Sequence, residues 1–245
     1  SITIGNGVDS IGEKAFYCCS SLSSITIPDS VSSIGASAFV DCSSLSSITI
    51  GNGVDSIGEK AFFGCSSLTS VTIPNSVSSI GDSAFYCCYS LSGITIGNSV
   101  SYIGAFAFYG TEYYSNDHNW ENEVLYIGKY LIEAKTTISG SYSIKADTLL
   151  IADCAFKHCS SLTIVTIPDS VSSIGTSAFY SCSSLTSITI PDSVTLIGEK
   201  AFYNCASLTT INYSGTETRW NTIQKGLDWN YNIGEYTIIY NYKGE

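Results

Sequence analysis

At 245 residues the chain is long enough for one large domain or two small ones, and its net charge of −11 disfavours nucleic acid and anionic membranes as partners. Charged residues make up 13%, roughly half the usual share for a globular domain, while 44% are apolar, which excludes a disordered chain and implies a surface built largely of hydroxyls. No apolar run approaches the roughly 20 residues a membrane span requires, so no membrane insertion is expected.

From the first residues one pattern recurs. Ile25-Thr26-Ile27-Pro28-Asp29-Ser30-Val31, then Ile34-Gly35, Ala38-Phe39, Cys42 and Leu45 return at a step of 23 residues. The phenylalanines set the register: Phe16, Phe39, Phe62, Phe85 and Phe108, then Phe156, Phe179 and Phe202, each preceded by Ala. Coils beginning at each Ile-Thr-Ile cover 2–24, 25–47, 48–70, 71–93 and 94–116, then 142–164, 165–187 and 188–210. A unit this short cannot bury its own apolar side, but stacked copies cover one another. Within a coil, Ile25 and Ile27 alternate with Ser24 and Thr26, predicting a strand with isoleucines inward and hydroxyls outward. Pro28-Asp29-Ser30 ends it as a turn. Ile34-Gly35 reads as a second apolar anchor followed by a bend, and Phe39 as a core ring.

Residues 111–141 form an irregular island. Gly128-Lys129 between Val124–Ile127 and Tyr130–Ala134 predicts a two-residue hairpin, with the solenoid resuming at Tyr142. Its rings, Tyr113, Tyr114, Trp120, Tyr126 and Tyr130, read as an aromatic surface, and aromatic residues anchor interfaces. The competing expectation is an atypical coil that only fills the stack. The domain reading is thus a solenoid over 1–210 and a capping segment over 211–245, which brings Trp220 and Trp229 to cover an otherwise open end. No such segment precedes Ser1, so the chain is expected to be part of a longer protein.

The order Leu-x-x-Ile-x-Ile, then Pro-x-x-Val-x-x-Ile-Gly-x-x-Ala-Phe-x-x-Cys-x-x-Leu, resembles the leucine-rich repeats of the BspA-like, or Treponema pallidum, class, over about three quarters of the chain. The resemblance implies a right-handed solenoid with a short parallel strand per repeat. It also implies a secreted or cell-surface protein that adheres to host or matrix proteins or glycans.

Other chemistry is weaker. Seven of the ten cysteines, Cys19, Cys42, Cys65, Cys88, Cys159, Cys182 and Cys205, share one repeat position and are expected as a column of buried free thiols, because in-register Cβ atoms lie about 4.8 Å apart on parallel vectors. Cys154, His158 and Cys159 lack a second ligand pair for zinc. Asp117, Asn119, Glu121 and Glu123 alternate oxygens as a calcium loop does, but without its turn glycine and final Glu. With two histidines, His118 and His158, no catalytic triad is evident; no enzyme activity and no cofactor are expected.

The predicted function is therefore an extracellular binding or adhesion scaffold for a protein or glycan ligand. The contact surface is placed at Tyr113, Tyr114, His118 and Trp120 together with Thr72, Thr95 and Thr166. A passive structural spacer is the main alternative. Ice binding by the outward column Thr26, Thr49, Thr72, Thr95, Thr166 and Thr189 is a remote one, weakened by Gly93 and Ile164 in the neighbouring column.

Overall fold

The computed structural model describes residues 2–244; Ser1 and Glu245, the outer ends of the expected solenoid and cap, lie outside the described residues. The chain divides into two compact units, Ser1–Trp120 and Glu121–Glu245, and both are β-solenoids of stacked parallel coils.

In the first unit the strand Ser24–Ile27 pairs in parallel with Ser47–Ile50, matching Ile25 to Ile48 and Thr26 to Thr49. Ser70–Ile73 pairs likewise with Gly93–Ile96. The alternation in sequence becomes alternation in space: Ile25 and Ile27 are buried, and Thr26, Thr49, Thr72 and Thr95 are exposed. Ile48, Ile94 and Ile96 are only half-buried, short of the burial expected at every equivalent position.

Each coil carries a second strand that the sequence does not announce. Ser10–Ile11, Ser33–Ile34, Ser56–Ile57, Ser79–Ile80 and Tyr102–Ile103 form a five-stranded parallel sheet. Two residues are too few to display a period of 2, so the segment read as a mere anchor. The glycine after it serves close approach: a Cβ on Gly35 would lie 2.7 Å from the carbonyl carbon of Gly12 in the coil below.

The return segment holds the rings. Phe16, Phe39, Phe62, Phe85 and Phe108 stack with centroids 4.9, 5.1, 5.1 and 5.4 Å apart. Two residues per coil flank them in left-handed conformation, among them Ser37 (φ 57°) and Asp41 (φ 56°). Such residues cost about 1–2 kcal/mol each. The strain is offset because it turns backbone N–H groups toward the next coil: Ser37 donates to Glu59 O at 2.7 Å, Phe39 to Ala61 O at 2.7 Å and Asp41 to Phe63 O at 2.8 Å.

The second unit opens with the hairpin of Val124–Ile127 and Tyr130–Ala134, in which Ile127 faces Tyr130 across Gly128-Lys129. Tyr130 and Leu131 then pair in parallel with Leu150 and Ile151, the first of the regular short strands here. The solenoid therefore resumes within the hairpin, before Tyr142, because its second strand occupies the short-strand position of a coil. Ser173–Ile174, Leu196–Ile197 and Gln224–Lys225 extend that sheet.

The long-strand sheet runs Ser139–Ser143, Ser161–Thr166, Ser187–Ile190, Thr210–Tyr213 and Thr237–Ile239. Phe156, Phe179 and Phe202 stack at 5.0 and 5.2 Å. Tyr142 lies 6.0 Å from Phe156 at one end of this column, and Trp229 meets Phe202 edge-on at 6.2 Å at the other.

Candidate protein-binding surface

The aromatic part of the island is built on two short capped turns. Thr111 caps the helical turn Glu112–Ser115 by accepting a hydrogen bond from Tyr114 N at 3.0 Å, and Asn116 caps the 3-10 turn Asp117–Asn119 by accepting from His118 N at 3.1 Å. Two bonds that each span six residues fold this segment back on the first turn: Asn119 Nδ2 donates to Tyr113 O and Trp120 Nε1 to Tyr114 O, both at 2.8 Å. Tyr113 N donates to Leu91 O at 2.9 Å and anchors the segment to the preceding coil.

These bonds leave Tyr113, Tyr114 and Trp120 half-buried and His118 exposed, with its Nδ1 3.0 Å from Asn116 Oδ1. The Tyr114 ring lies 5.2 Å from Trp120, edge-on, and 4.8 Å from Tyr109. Tyr109 in turn stacks on Tyr86 at 5.3 Å, and Tyr86 on Phe63 at 5.1 Å. Phe106, 47% exposed, meets Tyr109 edge-on at 6.1 Å. The first unit thus carries a continuous ladder of partly exposed rings from Phe63 to Trp120.

Phe63, Tyr86 and Phe106 were not anticipated as part of this surface. The signal was present in the residue that follows each core phenylalanine, which is aromatic at Tyr17, Phe63, Tyr86 and Tyr109 at the same 23-residue step. It was masked by the stronger column beside it.

Other expected site residues fall elsewhere. Thr72 and Thr95 are Cα partners on the exposed side of the long strands, 14 residues earlier in their coils than Tyr86 and Tyr109. Thr166 belongs to the second unit, in register with Ser143 and Thr189. Tyr126 and Tyr130 are not surface rings, being only 5% and 1% exposed. The hairpin strands are buried on both faces: Tyr126 joins the hydrophobic core of its unit, and Tyr130 is buried opposite Ile127 at the turn. The Tyr126 hydroxyl lies 3.0 Å from that of Tyr142.

The oxygen-rich stretch is engaged within the protein. Glu121 pairs with Lys145 at 2.7 Å, Glu123 accepts from Thr137 Oγ1 at 2.6 Å, and Asn119 is committed to Tyr113. Among the described residues no group of three or more His, Cys, Asp or Glu could hold a metal ion. His158 packs edge-on against Tyr180 at 5.7 Å, while Cys159 is buried with its Sγ 3.7 Å from Lys135 O.

The thiol column is buried from Cys42 onward, while Cys19 in the first coil is half-buried. The thiols also act as donors: Cys42, Cys65, Cys88, Cys182 and Cys205 each donate to the carbonyl of a phenylalanine 26 residues earlier, at 3.0–3.2 Å. Among the described residues no helix is long and apolar enough to cross a membrane.

Comparison with known proteins places this architecture. Residues 1–115 and 126–242 match the BspA type leucine rich repeat region, in six copies. Solved structures that are similar include a leucine rich cell surface protein from Faecalibacterium prausnitzii, at 29% identity over 89% of this chain and 86% of that one, with a TM-score of 0.35. A leucine-rich repeat protein from Bacteroides ovatus is 30% identical over 92% of this chain, with a TM-score of 0.48, and the match spans 60% of its length. The leucine rich repeat protein of T. pallidum is 22% identical, covering 83% of this chain and 73% of that one, with a TM-score of 0.36. No match was found among curated proteins. The repeat match covers all but a short internal stretch and the last residues, and the protein belongs to the BspA type leucine rich repeat family.

Proposed function

We propose that the protein is a non-catalytic, extracellular adhesion scaffold whose first unit binds a protein partner through the ring ladder at Tyr86, Tyr109, Tyr114 and Trp120, with Tyr113 and His118 at its edge. The observation that carries this reading is the ladder itself. Partly exposed tyrosine and tryptophan rings offer large contact area at low side-chain entropy cost, and a few such residues dominate interface energies. The regular coils, by contrast, repeat the same hydroxyls and distinguish one ligand poorly from another. Nine acidic residues against two lysines in residues 1–120 favour a partner with a basic rim around an apolar patch. Membership of a family that includes cell-surface proteins supports a location outside the cell.

The test is binding of the protein to a panel of purified extracellular-matrix proteins, followed by variants. Replacing Tyr114 and Trp120 together with Ala should weaken binding by at least about 2 kcal/mol, while Thr26→Lys should change it little. Binding lost in Thr26→Lys but intact in the folded double variant moves the site to the regular sheet, where Thr72, Thr95 and Thr166 also lie. Absence of binding across the panel favours the spacer reading.

A further inference from the structure

The second unit contains a polar cleft, independent of the ring ladder, where the repeat pattern breaks down. Its volume is about 560 Å³, and it is lined by Asp192, Ser214, Thr216, Thr218, Arg219 and Asn241, among others. A volume of this order lies within the range of small-molecule sites.

The cleft exists because the turn after Thr210–Tyr213 departs from the repeat. At two turns of the first unit the Asx side chain is consumed by the next coil: Asp29 Oδ1 accepts from Asn52 N at 2.6 Å, and Asn75 Oδ1 from Asn98 N at 2.9 Å. At the last such turn Asp192 donates its own N–H to Ser214 Oγ at 2.8 Å, and its carboxylate instead faces Arg219, Oδ2 to Nε 3.8 Å. Arg219, the only arginine of the chain, is steadied by donating Nε–H to Asp192 O at 2.8 Å, and its charge also acts on the Tyr213 hydroxyl behind it. Gly215 allows the wall to close in: a Cβ there would lie 2.7 Å from Tyr213 Cε1 and 2.8 Å from Asp192 Cβ. Behind it the Tyr213 hydroxyl is fully buried without a hydrogen-bond partner, an uncommon state for a buried polar group.

The set of groups is mixed in character. Arg219 and Asn241 supply donors, Asp192 an acceptor, and the Ser and Thr hydroxyls both. A guanidinium already faced by a carboxylate is a poor anion trap, whereas alternating donors and acceptors match a row of hydroxyls that must each give and take a hydrogen bond. We infer that this cleft is a binding site for a neutral sugar, a pyranose residue held by Arg219, Asp192 and the Thr216–Thr218 hydroxyls.

Because Arg219 is the only arginine, its Nε–H gives a single reporter resonance in a 15N-labelled sample of the whole chain. Titration with methyl α-mannopyranoside, methyl β-galactopyranoside and N-acetylglucosamine should produce a saturable shift of that resonance and of the Thr216–Thr222 amides with at least one of the three. In Arg219→Lys the affinity for that sugar should fall at least about ten-fold, and in Thr218→Ala, an exposed helical position where Ala is well tolerated, several-fold. The inference is overturned if none of the sugars shifts these resonances, if only sodium acetate does so, or if Arg219→Lys, still folded by its amide spectrum, binds the sugar as the parent does. None of these outcomes bears on the ring ladder of the first unit.

Discussion

Phe85 lies between Phe62 and Phe108, 5.1 and 5.4 Å from their centroids, and is fully buried. Replacing it with Ala removes a ring from the middle of a column whose neighbours cannot collapse inward, because Phe62 N is held by Ala84 O and the carbonyls on either side of Phe108, those of Ala107 and Tyr109, accept from the neighbouring coil. The expected cost is about 3–5 kcal/mol in urea unfolding; a variant melting within a degree of the parent would remove the ring from the core. The thiols act at the same scale. Burial pushes Cys42 and Cys159 up from the ordinary 9.0 to about 12. The folded chain keeps these protons where the unfolded chain releases them, so their contribution is whole below pH 9 and is lost as pH rises toward 12. Between pH 9 and 11 the parent should therefore lose more stability than the double variant Cys42→Ala, Cys159→Ala, measured by urea midpoints at each pH. An equal loss in both would mean that these thiols ionise normally in the fold. Such residues were legible in advance because a column repeated many times announces its environment.

Single-copy elements were harder to read. The hairpin around Gly128-Lys129 was visible as two apolar runs flanking a turn, but its burial was not. A strand covered on both faces and a strand offering rings to solvent can share a composition. Tyr126 illustrates the ambiguity: its ring is buried, its hydroxyl meets Tyr142, and Lys145 Nζ lies 4.3 Å above its face. Tyr126→Phe should cost only about 0.5–1.5 kcal/mol, since half-exposed Tyr142 can bond water instead, whereas Tyr126→Ala should cost about 3–5 kcal/mol. Thermal melts of the two variants separate these outcomes, and an unchanged melting point for Tyr126→Ala would return the ring to the surface. The short strands typified by Ser33–Ile34 escaped notice for a different reason. Their identity lies in pairing with the coils above and below, a relation that no window of a few residues contains.

For the whole molecule the period was the most legible feature, and it reaches further than any one residue. A column of rings, a column of thiols and a column of glycines all follow from a 23-residue step kept in register. The candidate binding surface was legible only in part, because Tyr113, Tyr114 and Trp120 stand out as single-copy residues while the repeated rings beside them do not. The stacked coils also have a mechanical consequence. Each coil is held to its neighbours by hydrogen bonds that run along the stack, so a pull along that direction loads a few bonds at a time instead of a whole sheet at once. A freed coil of 23 residues would extend to about 80 Å at full stretch. A solenoid of this kind yields coil by coil under load, lengthening by about this amount with each 23-residue coil released, while the coils not yet released stay folded.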